Sequence, residues 1–274
     1  MVKFTELNHC YESIIPDDVK WLGVTTLVGH LHPAFDRTPY DCSLRKPTIG
    51  KPNKWYKLPA EEIQAAWTAE ASRSTILGSW YHNKREQSLY NNGDHKVFRP
   101  IINGDVKLAP DQKLVEGGIY PEHLVYLASA GICGQSDYVE VKEGKINIRD
   151  YKTSKKIDRT AYKNWEGVVK KMLAPVGHLE DCHFYHYALQ LSIYMYIMLR
   201  HNPQLLPGTL IIEHIKFQIE SEDKYGYPIY AKDDNGDYIV TEIEEISLPY
   251  LAKEVKAIVE WLKTNKSKLV KHTH

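Results

Sequence analysis

Two acidic residues and a lysine whose types and spacing suit metal-assisted chemistry lie in residues 137–152 of the 274-residue chain, DYVEVKEGKINIRDYK. Two alternating runs meet there at Glu143-Gly144, a dipeptide suited to a tight turn because glycine tolerates positive φ. A two-residue loop between Lys142 and Lys145 sets a register in which Asp137 falls opposite Asp150. Cross-strand neighbours have Cβ atoms about 4.5–5.5 Å apart, close enough for both carboxylates to clamp one cation. Alternation puts Asp137 on one face with Val139 and Val141, and Asp150 with Ile146, Ile148 and Lys152. The other face, with Tyr138, Glu140, Lys142, Asn147, Arg149 and Tyr151, is left for solvent or a ligand. Two acids at the end of an apolar strip are costly to bury and repel each other, and a divalent cation would relieve both problems. The plainer alternative is an exposed Asp150–Lys152 pair at a strand end, with Asp137 merely opening the hairpin.

Three other groups of residues could serve such a centre. Gly78, His82 and Glu86 recur every four residues and form one helix stripe, in which the glycine permits close backbone approach. The alternative is a surface His and Glu amid Asn83, Lys84 and Arg85. Gln190 and Tyr194 are also four apart, in a segment crowded with Tyr187, Leu191, Ile193, Met195 and Tyr196 that reads equally as a core helix with a satisfied amide. Residues 142–171 hold ten basic side chains, Lys155, Lys156 and Arg159 among them, against four acidic ones, interleaved with Tyr151, Tyr162 and Trp165. That mixture suits phosphate contacts and base stacking, or else a solvated charged loop. His178, His183 and His186 lack ligand spacing and read as structural.

The elements that must position these residues follow from periodicity. A long helix is expected over 60–90, with a break considered at Gly78, then a loop over 91–110 rich in Asn, Gly, Asp and Pro. Strands are expected at 113–120, 124–129 and 132–151, a helix at 182–200, strands at 209–220 and 225–240, and an amphipathic helix from Pro249 to about Lys266. The order is that of an α/β protein. A Pro- and Lys-rich stretch over 45–59 divides the single domain into an N-terminal accessory segment, 1–57, and a core, 58–274.

Composition narrows the class. Hydrophobic residues at 43% and charged residues at 26% are those of an ordinary globular protein. The balance of 35 basic and 35 acidic residues gives no whole-chain attraction for a polyanion, so any such role must rest on local clustering. The N-terminus has no secretory pattern, and the apolar run over 187–199 is shorter than the ~20 residues of a bilayer span, so no membrane association is expected. Cys10, Cys42, Cys133 and Cys182 are scattered, with no Cys-x-x-Cys pair to indicate zinc or a disulfide framework, and a reducing cytoplasm fits them.

In three ordered blocks the chain resembles the PD-(D/E)XK nucleases, in particular their RecB-like exonuclease branch. These are Gly78-Ser79-Trp80-Tyr81-His82 with Glu86, then Gly134-Gln135-Ser136-Asp137 leading to Asp150-Tyr151-Lys152-Thr153, then Gln190-Leu191-Ser192-Ile193-Tyr194. The resemblance spans 78–194. Two positions depart from it: the second acid is Asp rather than the commoner Glu, and Gln135-Ser136 is more polar than the usual lead-in. Val24-Thr25-Thr26-Leu27 also looks like the helix entry of phage-type, stand-alone relatives.

The resemblance implies a restriction-endonuclease-like core, with a central mixed β-sheet flanked by helices, and a divalent-metal-dependent deoxyribonuclease. By it, His82, Asp137, Asp150 and the backbone carbonyl of Tyr151 hold one or two Mg2+ or Mn2+ ions, and Glu86 completes the shell or orients the attacking water. Lys152 would orient that water or stabilise charge on the phosphorane, while Gln190 and Tyr194 position the nucleic-acid backbone. Some relatives carry an iron–sulfur cluster on four cysteines, but the scatter of cysteines here speaks against one. The expected activity is exonucleolytic, on single- or double-stranded DNA with a free end, in replication, recombination or repair, in the cytoplasm of a host if the protein is viral. A sequence- or structure-specific endonuclease and a non-catalytic nucleic-acid-binding scaffold of the same fold are the alternatives. No oligomeric state is indicated.

Overall fold

The computed structural model describes residues 2–5, 10–13, 19–34, 37–50, 52–91, 93, 95–104, 106–109 and 112–269. In chain order the elements are β1 (Val2–Thr5), β2 (Cys10–Ser13), β3 (Leu22–Gly23), α1 (Val24–His30), α2 (Pro39–Leu44), α3 (Ala60–Asn91), β4 (Ile101–Asn103), β5 (Val106–Ala109) and β6 (Gly118–Leu127). They continue as β7 (Ile132–Lys142), β8 (Lys145–Lys152), α4 (His183–His201), β9 (Leu206–Phe217), β10 (Ile219–Glu222), β11 (Pro228–Tyr230), β12 (Val240–Leu248) and α5 (Ala252–Leu269). The protein is α/β, with a mixed main sheet, smaller antiparallel sheets and flanking helices.

The main sheet runs β12-β9-β8-β7, with β8 and β9 parallel and α4 on the connection between them. β6 lines one edge of β7 along almost its whole length. β8 and β3 therefore share the other edge, β8 antiparallel from Lys142 back to Tyr138 and β3 parallel at Ile132 and Cys133. Between them, at 134–137, β7 has no strand partner on that edge among the described residues, and the sheet forks.

Burial fixes this register. Val139, Ile146 and Ile148 are fully buried and Val141 nearly so, packed with Leu189, Ile193 and Ile197 of α4, Leu27 of α1 and Ile258 of α5. Each such side chain contributes roughly 1.5–3 kcal/mol relative to exposure. A one-residue slip would turn all four outward, so the pairing that carries Asp137 to the fork is strongly specified. The observed partners run from Lys142 with Lys145 to Tyr138 with Arg149, the register that the turn at Glu143-Gly144 requires, and the pairing stops one step short of Asp137 and Asp150.

Several elements differ from the sequence expectation. α3 is unbroken at Gly78, where an added Cβ would meet Thr153 Oγ1 at an ordinary 3.5 Å, so no close backbone approach requires the glycine. The expected loop over 91–110 contains β4 and β5, which join β1 and β2 in a four-stranded antiparallel sheet. The strands expected at 113–120 and 124–129 are a single strand, β6. The strand expected at 225–240 is cut down to the short β11, which forms a hairpin with β10; Asp223 and Asp233 each accept two backbone N–H bonds in side-chain turns, and β12 begins only at Val240. Within the segment set apart as accessory, β3 pairs in the main sheet, and Val24, Leu27 and Val28 of α1 belong to the main core. The face of β8 left for solvent or ligand is roofed at its end, where Tyr151 is buried with Leu77 and Tyr81 of α3 and with Ile215 and Phe217. Among the described residues, no helix is long and apolar enough to cross a membrane.

Candidate active site

The fork places Asp137 and Asp150 at the open end of the sheet. Asp137 Oδ2 accepts the Tyr151 backbone N–H at 2.8 Å, and its Oδ1 lies 3.5 Å from His82 Nδ1 on α3. Asp150, 2% exposed, accepts from Gln190 Nε2 at 3.3 Å and ion-pairs through Oδ2 with Lys152. The Lys152 ammonium also stands 5.1 Å from the centroid of the Tyr187 ring. Gln190 Nε2 lies 3.3 Å from the Tyr194 hydroxyl as well, so α4 closes the fork from one face while α3 supplies His82 from another. Gly134 is sterically required, because a Cβ there would fall 2.6 Å from the Tyr194 ring.

Glu122 completes the cluster and was not singled out from the sequence. It sits in β6 between the pairs Pro121–Tyr138 and His123–Ser136, which sets it beside Asp137, and its φ of +51° is uncommon for a residue with a side chain. Such strain persists where the surroundings over-determine it. Glu122 is buried, 3.5 Å from Lys107 Nζ, and accepts from Gln135 Nε2. Donor atoms of His82, Glu122 and Asp137 all lie within 4.8 Å of one another. A lone acid inside the apolar run 118–127 was the available signal.

The electrostatics follow from this crowding. Burial and then the Asp137 charge push the Glu122 carboxyl up to about 8, against the pull of Lys107. Burial and Asp150 likewise raise Asp137, with His82 and Lys152 opposing. Burial would lower Lys152, but Asp150 and Asp137 outweigh it and hold the ammonium above its ordinary value. Carboxylates held above their ordinary range beside an imidazole form an O,O,N donor set with excess negative charge, which fits a divalent cation.

The remaining candidates lie at different distances from this centre. Glu86, one turn beyond His82, accepts from the Tyr90 hydroxyl at 2.7 Å, and its charge adds to the rise at Glu122. The Tyr151 ring packs edge-on against His82 and Tyr81, while its backbone N–H serves Asp137. Lys155, Lys156 and Arg159 are each engaged by a carboxylate of the chain itself: Glu70 at 2.5 Å, Asp158 at 3.0 Å and Glu244 at 2.7 Å. The local basic excess is therefore partly neutralised.

No family model matches the chain, and no curated protein matches it. Among solved structures, that of SSO0001 aligns over 94% of this chain and 79% of its own, at 15% identity and a TM-score of 0.34, a likeness that carries no argument about fold or function.

Proposed function

We propose that the protein is a divalent-metal-dependent nuclease that hydrolyses DNA phosphodiester bonds from a free end, built on a PD-(D/E)XK core. The observation that carries this reading is the convergence of Glu122, Asp137, Asp150 and His82 at a sheet fork with Lys152 fixed beside them. The succession of β6, the β7–β8 hairpin, α4 and β9 supports the core assignment. Four free cysteines suit a cytoplasmic location.

Glu122, Asp137 and Asp150, with His82 and the carbonyl of Tyr151, would hold one or two Mg2+ or Mn2+ ions. Such a cation supplies Lewis-acid polarisation of the scissile phosphate and neutralises charge on the leaving oxygen. Lys152, held as an ammonium by Asp150 and Asp137 in the metal-free chain, would orient the attacking water or stabilise charge on the phosphorane. Gln190 holds Asp150 in orientation and, with Tyr194, closes the α4 side of the site. Glu86 orients the attacking water from the far end of the His82 stripe. Lys155, Lys156 and Arg159 border the path of the DNA backbone, exchanging their internal carboxylate partners for phosphates.

The test is incubation of end-labelled linear DNA and closed circles with the protein in Mg2+, Mn2+ or EDTA. Metal-dependent loss of linear DNA with circles intact is expected. Cutting of circles would make the protein an endonuclease, and binding without cleavage would make it a scaffold.

A further inference from the structure

A separate group of donors converges where the end of α1, the segment before α4 and the first turn of α4 meet. Donor atoms of His32, Asp181 and His186 all lie within 4.8 Å of one another. His186 Nε2 is 2.8 Å from Asp181 Oδ1, and the His32 and His186 rings stack with centroids 4.5 Å apart. Beside them a cavity of ≈ 510 Å³ is lined also by Lys156, Asp158, Tyr162, Lys170 and His183.

We propose that His32, Asp181 and His186 form a binding site for a borderline transition-metal dication of the Zn2+ class, distinct from the carboxylate cluster and independent of the nuclease reading. Two imidazole nitrogens and one carboxylate oxygen suit Zn2+ better than Mg2+ or Ca2+, which prefer all-oxygen shells. Tetrahedral zinc with bonds of ~2.1 Å spaces its donors ~3.4 Å apart, so closing the trio on a cation takes side-chain rotation of about an ångström.

The outer partners already orient the ligands, as metal sites require. His32 Nδ1 lies 3.2 Å from the Pro33 carbonyl; a ring N–H donating there leaves Nε2 with its lone pair for the cation. Lys170 sits 2.8 Å from Asp181 Oδ2 and stays on that oxygen while Oδ1 turns to the metal. Three protein ligands leave a fourth position facing the cavity, open to water or a small anionic ligand. An Asp181–His186 hydrogen bond serving only to start α4 would need neither the stacked His32 nor the cavity. His32 follows α1, and Asp181 lies next to the end of the segment, 153–182, that links Lys152 to α4, so the metal would pin that segment to the α1–α4 corner. Chain spacing hid the site because His32 and His186 meet only through tertiary packing.

The experiment is a Co2+ titration followed by visible absorption, with Zn2+ competition, on wild type, Asp137→Asn, His32→Ala and His186→Ala. A tetrahedral band that saturates at one Co2+ per chain is expected in wild type and in Asp137→Asn alike, with affinity at least tenfold weaker in either histidine variant. A band lost in Asp137→Asn but kept in both histidine variants would overturn the proposal, as would no band in wild type. His32 is only half-buried, and thermal denaturation guards against a folding defect: saturating Zn2+ should raise the midpoint of Asp137→Asn by roughly 5 °C and leave the double variant Asp137→Asn, His32→Ala unmoved. An equal rise in both proteins would place the zinc elsewhere.

Discussion

The Asp137 carboxylate accepts the Tyr151 backbone N–H at 2.8 Å, so a side chain takes the place of a strand carbonyl where β7 and β8 part. This single bond fixes both the fork and the orientation of an acid in the cluster. Asp137→Ala should therefore leave a buried N–H without a partner and cost about 1–3 kcal/mol of stability. Asp137→Asn keeps an acceptor oxygen at that position and should lose metal affinity with a smaller stability change. Urea denaturation paired with Mn2+ titration calorimetry separates the two effects.

Glu122, together with Asp137, makes the stability of the metal-free protein depend on pH. The folded-state value of Glu122 is raised from 4.5 to about 8, so the folded chain holds this proton more tightly than the unfolded chain across that interval. Stability then falls as pH rises through the interval, the reverse of an ordinary ion-paired carboxylate. In EDTA, the thermal midpoint of wild type should decline from pH 5 to pH 8, and Glu122→Gln should flatten the decline. At pH 8 the variant should be more stable by on the order of 2 kcal/mol and should bind Mn2+ more weakly. Parallel declines in the two proteins would remove Glu122 from this role.

Gly134→Ala tests the α4 side of the site. The added Cβ would stand 2.6 Å from the Tyr194 ring, an overpacking that costs about 1–3 kcal/mol. Tyr194→Leu in the same chain should recover most of that loss, and a double-mutant cycle on denaturant midpoints measures the coupling. Additive losses would mean that the two residues do not meet.

Asn202 offers a control far from the chemistry. It is fully buried, accepts from the Leu114 N–H at 2.8 Å and donates to the Gln112 and Met198 carbonyls at 2.9 and 2.8 Å. Asn202→Ala should cost about 2–4 kcal/mol by stranding these buried groups, seen as a lower denaturant midpoint, without changing metal affinity per folded molecule.

The hairpin was legible in the sequence because a two-residue turn and strict alternation leave one register that buries Val139, Val141, Ile146 and Ile148. Asp137, Asp150 and Lys152 came with it, and four-residue spacing brought His82, Gln190 and Tyr194. Glu122 was not legible: residues 121–123 interrupt the alternation of β6 and read as a gap between two strands. The +51° backbone at Glu122 that causes the interruption also accompanies its placement beside Asp137. A different cause hid β4, β5 and the β10–β11 hairpin, which are short strands in turn-rich sequence whose local signals outweigh their pairing.

The most direct test of the central claim is the rate of Mn2+-dependent cleavage of linear DNA by wild type, Asp150→Asn and Lys152→Ala under identical conditions. The account predicts metal-dependent cleavage by wild type and at least a hundredfold loss in each variant, about 2.7 kcal/mol of barrier or more, with both still folded. Cleavage by Asp150→Asn at the wild-type rate would contradict it.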